Sequence, residues 1–454
     1  MKNQNILSIS KEGIKINLTM LSLFLFLFYP YFNTTTKIIY QRESIAKGTL
    51  ILAVILLLIK TSKIKIDRWV MIWFSVLFFF LFRNYDLKYG NYYICIEFAV
   101  CILMLLLLST KYNWESYSMK LIYLFSIIHL FFGFFLYFNK NFFIDHIVPT
   151  FFLDDFWLNE LMIMVNAGYM VGLTSHFSTL GMYLSVAFIL GITYLLNQKA
   201  TGKSKTAIII FIAATVAAFM LNGKRGPFIF SCLTALIVYL FFYCRVSPKT
   251  ILKWIFYGII ITATLMIAIE KIPALATLFN RFQFSNGNIN DYSSDRVDLL
   301  WIPALKLFQQ HPIFGLGWRG FRYTFQQYST IDQLYDTHNI YLQLLCETGI
   351  VGFTVVMTAF ITTYARTAKL LFRIKRNNNE LMAKTRLFLC FSAMVQTFFL
   401  LYGLTGNPLY DRIFYLYVIA YGLMVTAERR IRVATPNRIQ PYVLQDKDLN
   451  WASK

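Results

Sequence analysis

The sequence predicts an all-α polytopic membrane protein of about 12 transmembrane helices, and three observations lead there. Hydrophobic residues make up 57% of the 454 and charged residues 14%, with a mean hydropathy of +0.55, far from the balance of a water-soluble chain. The apolar runs, about 15 to 20 residues each, can cross a hydrocarbon core of about 30 Å as helices. They lack the ten-residue alternation that a membrane β-barrel requires.

Twelve spans follow in order, at about 18–32, 44–59, 69–82, 92–109, 121–138, 179–196, 206–222, 227–244, 254–269, 349–365, 387–404 and 412–427. The first run follows a basic N-terminus, as a signal peptide does. Phe32, Asn33 and three threonines come next instead of a small-residue cleavage site, so an uncleaved span is expected. With the N-terminus cytoplasmic, both termini are inside. The inner segments then hold 28 of the 43 Lys and Arg but 7 of the 22 acids, and their net of +21 equals that of the whole chain. The positive-inside bias and an anionic leaflet account for this excess, and no nucleic-acid partner is implied. The six cysteines, Cys95, Cys101, Cys232, Cys244, Cys346 and Cys390, form no CxxC pair, so neither a disulfide framework nor a zinc site is expected.

Two external intervals interrupt the short loops. The first, 139–178, carries Asp145, His146, Asp154, Asp155 and Glu160. An apolar patch from Leu161 to Val171 follows, too short to span, which reads as a re-entrant or interfacial segment. The second is a large extracytoplasmic loop, 270–348, between spans nine and ten. Within it Val297, Leu300, Trp301, Ala304, Leu307 and Phe308 recur at helical spacing, with Ser293 and Ser294 as N-caps and His311-Pro312 as the stop. Gly315, Gly317 and Gly320 then make a flexible turn. The next helix begins near Asp336 or Thr337 and runs into span ten. The chain is therefore expected to be one membrane domain, 1–427, with an extracytoplasmic loop at 270–348 and a basic cytoplasmic tail at 428–454.

The candidate site residues lie at the outer face. Lys224 and Arg225 sit in a tight hairpin, Asn222-Gly223-Lys224-Arg225-Gly226-Pro227, on the side where cations are disfavoured, so an anionic partner is expected. The glycines admit a phosphate closely, and guanidinium grips it through two parallel hydrogen bonds. Arg296 opens the amphipathic helix between Asp295 and Asp298, either as a surface ion pair or as a second anion contact. Arg319 and Arg322 are further candidate contacts. His338 has the one side chain that ordinarily titrates near neutrality, which suits it to proton transfer, although a helix-start histidine can also be a plain cap. Asn339, Gln343 and Glu347 form a polar stripe beside it, but Glu347 is nine residues from His338 and nearly opposite on a continuous helix. His176 faces the same side and is a candidate lining residue. His129 and His311 read as structural, and Glu97 is an intramembrane acid with either a functional role or a local hydrogen bond. No DxD pair, P-loop, HExxH or GxSxG is found, so neither a metal nor a cofactor is expected.

The order GKRG, SDR, His311-Pro312, GLGWRGF and HNIYLQLLCETG resembles the O-antigen ligase and O-antigen polymerase superfamily, the WaaL and Wzy type, over about 222–349. Where that family often has Pro-Asn before span six, this chain has His176-Phe177-Ser178. The resemblance implies a GT-C-like, inverting, metal-independent glycosyltransferase of the bacterial cytoplasmic membrane acting on the extracytoplasmic side. It implies undecaprenyl-diphosphate-linked oligosaccharide as donor, an acceptor glycan, and a flippase and chain-length regulator as partners. By resemblance His338 is the general base, and Arg225, Arg296 and Lys224 bind the diphosphate. A polymerase is the leading expectation, a ligase to lipid A core the alternative, and a polysaccharide transporter the third.

Overall fold

In the computed structural model, the described residues are 7–10, 13–40, 43–61, 68–84, 91–111, 113–151, 155–174, 176–197, 202–243, 256, 296–330, 334–375 and 379–434. The expected ninth span apart from Phe256, the loop segment 270–295 with Ser293, Ser294 and Asp295, Asp154, Cys244, and the tail beyond 434 lie outside them.

The described chain is helical except for a short antiparallel hairpin, β1 (Leu7–Ser10) and β2 (Gly13–Ile16), which departs from the all-α expectation. Five helices follow: α1 (Leu18–Tyr40), α2 (Glu43–Ile59), α3 (Arg68–Phe82), α4 (Asn91–Thr110) and α5 (Glu115–Phe138). The first external interval folds as α6 (Lys140–Phe142), a π-helical turn Phe143–Ile147, α7 (Val148–Phe151) and α8 (Asp155–Asn166). Next come α9 (Phe177–Asn197), α10 (Lys203–Asn222) and α11 (Arg225–Val238). Past the undescribed stretch lie α12 (Ile302–Gln310), α13 (Phe321–Thr324), α14 (Ile340–Ile374), α15 (Glu380–Tyr402) and α16 (Ile413–Ala434). A helix coincides with each expected span that falls on described residues. Among those residues six helices are long and apolar enough to cross a membrane, and four shorter apolar helices join them. The chain is a multi-pass membrane protein.

The centre of the bundle is α15 and α16, buried along most of their length and packed on each other, with α9, α11 and α14 also against α15. The intramembrane acid Glu97 accepts hydrogen bonds from Tyr29 (2.9 Å) and Tyr415 (3.0 Å) and lies 3.7 Å from Lys47 Nζ. His129 contacts the Tyr31 carbonyl at 3.0 Å, the structural role expected of it.

The helix leading into span ten starts later than the spacing predicts. Asn339 is its N-cap, its side-chain oxygen accepting from the Tyr341 and Leu342 amides at 3.1 Å each, so His338 lies just outside with a left-handed φ of 52°. Helix α14 runs for 35 residues, roughly 52 Å at 1.5 Å per residue, longer than a bilayer core, and breaks at Gly349 (φ 62°). The break frees backbone groups, and the turn after His311 satisfies them. The amides of Leu316 and Gly317 donate to the Cys346 and Glu347 carbonyls (3.1 and 2.9 Å), while those of Ile350 and Val351 donate to Pro312 and Ile313 (2.9 and 3.2 Å). The glycine turn is thus a rigid seam rather than the flexible element that its composition predicts. The far side is held as Trp318 donates its amide to the Arg83 carbonyl at 2.6 Å and Arg83 donates to the Gly315 carbonyl at 3.1 Å.

A Cβ at Gly349 would collide with the Ile313 backbone, and both Gly349 and Gly315 need positive φ. Gly349→Ala is expected to destabilise by about 2 kcal/mol or more. Gly48→Ala, where a Cβ meets nothing within 4 Å, is expected to be neutral to mildly stabilising. Thermal unfolding in a fixed detergent checks the pair, and equal midpoints would contradict the seam.

Candidate active site

Five pieces of chain converge at one end of the bundle. The α10–α11 hairpin brings Lys224. Gly223 (φ 72°) ends α10, and Asn222 donates to the carbonyls of Met170 and Phe177 at 2.8 and 2.9 Å, seating the hairpin beside the segment that carries His176. Lys224 Nζ lies over the Phe177 ring at 4.9 Å. Arg225 follows at the first turn of α11, half-buried.

Arg296 precedes a π-helical turn, Val297–Trp301, and the Trp301 indole donates to the Thr337 carbonyl at 3.0 Å, drawing the Arg296 segment onto the loop of His338. Around His338 the backbone is pinned. Thr337 Oγ1 donates to the Asn339 carbonyl at 2.7 Å and accepts from the Asn339 amide at 3.1 Å. The Ile340 amide donates to the Gly403 and Gly406 carbonyls (2.9 and 3.1 Å), and the Asn407 carboxamide lies 3.3 Å from the His338 amide. A left-handed histidine is uncommon and costs about 1 to 3 kcal/mol, so these contacts hold the side chain in a fixed place. Its ring makes no hydrogen bond to the described residues. Orientation comes from the backbone instead.

Electrostatics ties these pieces together. Burial pushes the His338 pKa down to about 4, Arg296 and Lys224 push the same way, and Asp336 opposes them. His176 is likewise lowered to about 4, by burial and then by Lys224; its Nδ1 accepts from the Ser178 amide at 3.1 Å. Lys224 falls to about 8 through burial and Arg296, with Asp411 opposing. At neutral pH both imidazoles are therefore uncharged and able to accept a proton.

A second layer of acids and their partners backs this cluster. Arg319, itself left-handed (φ 67°) and buried, pairs with Asp336 at 3.2 Å and lies over the Tyr410 ring at 4.3 Å. Gln343 bridges Asp336 (2.9 Å) and Glu347 (3.0 Å), and Glu347 accepts from the Tyr410 hydroxyl at 2.7 Å and the Phe321 amide at 3.3 Å. Trp318 donates to Tyr410 at 2.9 Å. Glu347 thus braces the loops rather than the imidazole, as its position along the helix implies. Arg319 is engaged in this brace. Arg322 is half-buried and helps keep Asp336 ionised, and Asn339 spends its side-chain oxygen on the helix cap.

Sequence reasoning missed Asp336 as a site residue and missed Tyr410, Asp411 and Arg412 altogether. Burial raises Asp411 to about 6, with Arg412 opposing, and Lys224 and Arg319 also act on it. A charged Tyr-Asp-Arg run in a short connection at the same end of the bundle was the available signal. Among the described residues no three His, Cys, Asp or Glu side chains are grouped to hold a metal ion.

Because both folded-state histidine values lie near 4 against an ordinary 6.5, the stability they confer is complete above about pH 6.5 and lost as pH falls toward 4. The melting temperature should fall over that window more in the wild type than in His176→Gln/His338→Gln. Parallel curves would contradict the burial of these rings.

No curated protein matches the chain. Residues 209–357 match the family model Wzy_C, described as O-Antigen ligase, and the match contains Lys224, Arg225, Arg296, Arg319, Arg322, Asp336, His338, Asn339 and Glu347 but neither His176 nor Asp411. Over those residues, about a third of the chain, the protein is similar to the Wzy_C family.

Proposed function

We propose that the protein is a polysaccharide polymerase of the O-antigen or capsule type, moving glycan from undecaprenyl diphosphate to a hydroxyl of an acceptor repeat unit at the extracytoplasmic face of the bacterial cytoplasmic membrane. The observation that carries this reading is the placing of a neutral, backbone-pinned His338 within the field of Arg296 and Lys224. As the glycosidic bond to the diphosphate breaks, negative charge builds on its oxygens. Arg296 and Lys224, with Arg225 beside them, stabilise that charge in a site already built to hold it. No metal is required by this scheme. The acceptor hydroxyl adds to the opposite face of the sugar, so the anomeric configuration inverts, and His338 takes the proton.

Cation and base are linked in this scheme. The same charges that bind the diphosphate depress the basicity of His338, so an arriving diphosphate neutralises them and makes the imidazole a stronger base. Proton abstraction is then favoured only when the donor is in place. Asp336 assists by its negative charge, and the Arg319–Gln343–Glu347–Tyr410 brace keeps Asp336 in position.

A second reading is a ligase that delivers the glycan to lipid A core, and the description of the matched family favours it. Purified protein given lipid-linked repeat units distinguishes the two. A ladder of lipid-linked chains supports the polymerase, and transfer only to lipid A core overturns it. His338→Ala should lower turnover by about 10² to 10⁴-fold with donor binding kept. Arg296→Ala should weaken donor binding as well as turnover. Unchanged transfer by His338→Ala would remove the base from the scheme.

A further inference from the structure

A cavity lies beside the site, at the end of α5 and against the segment that links α8 to α9. It encloses about 240 Å³, and its lining includes Leu136, Tyr137, Lys140, Val165, Tyr169 and Gly172. The walls are apolar and rest on a satellite core that includes Leu136, Phe143, Leu161 and Val165. The polar groups are one ammonium and two phenols. Among the described residues no carboxylate pairs with Lys140. An amphipathic chamber with one cation suits the head of an amphiphile that carries negative charge.

Its position relative to the catalytic cluster gives it meaning. Tyr169 forms one wall, stacks on Phe177 with ring centres 4.8 Å apart, and Phe177 in turn lies under Lys224. A Cβ on Gly223 would press on the Tyr169 ring at 3.0 Å, so the hairpin that carries Lys224 is seated on the cavity wall itself. One aromatic layer separates the two places. A polymerase must hold two lipid-linked diphosphates at once, and Lys224 with Arg296 answers for one.

We propose that this cavity seats the diphosphate head of the acceptor lipid, with Lys140 pairing its charge and Tyr137 and Tyr169 meeting its first sugar. This rests on the polymerase reading. Native mass spectrometry of the full chain with undecaprenyl diphosphate counts the seats. Two equivalents are expected on the wild type and on Lys140→Arg, and one on Lys140→Glu and on Arg296→Ala. The Michaelis constant for acceptor should rise about tenfold in Lys140→Glu, with that for donor unchanged. Two equivalents kept by Lys140→Glu, or a second equivalent displaced by excess phosphatidylglycerol, overturns the seat and leaves the polymerase reading intact. No equivalent bound by the wild type overturns both.

Discussion

The site depends on a helix break that is repaired from outside. At Gly349 helix α14 loses its own hydrogen-bond ladder, and buried backbone groups are costly unless paired. The turn from Pro312 to Gly317 pairs them on both sides of the break. That seam fixes Trp318 and Arg319 behind α14, and through them Tyr410 and Asp336. The spacing His-Pro-x-x-Gly-x-Gly and the Glu-Thr-Gly downstream are thereby two halves of one joint. Gly315 and Gly349, both with positive φ, each lie where another backbone passes too close for a side chain.

Over this joint sits an arrangement with an unusual charge balance. Lys224, Arg296 and two neutral histidines face Asp336 and Asp411, and burial acts on Lys224, the histidines and the two acids. Desolvation alone would make such a cluster expensive, so the acids, the brace and the left-handed turn at His338 together hold a geometry that a bare loop would not keep. Half-buried cations stand beside uncharged imidazoles on this surface. The cavity beside Tyr169 extends the same surface by one aromatic layer.

Much of this was legible in the sequence. Helices stand at each described span because apolar length is set by bilayer thickness, and Lys224, Arg296, His176 and His338 were singled out as polar exceptions at one end. What could not be read was long-range pairing. Nothing local distinguishes Asp336 from a helix-start aspartate until Arg319 and Gln343 are seen to meet it. Tyr410 and Asp411 lie far along the chain in a short connection, and only folding returns them to the site. The glycine turn was misjudged as flexible because composition reports conformational freedom, whereas here the missing side chains permit close packing. The start of α14 shifted by a few residues because the Asn339 cap competed better than Asp336 or Thr337.

The central claim is that His338 stands uncharged among cations and becomes a stronger base when a diphosphate joins them. Nuclear magnetic resonance titration of labelled histidine in nanodiscs, assigned with His338→Gln, reads this without turnover. A His338 pKa near 4 that climbs toward its ordinary value on addition of undecaprenyl diphosphate is the predicted result. A ring already protonated at neutral pH, or a value that does not move when the lipid binds, would contradict it.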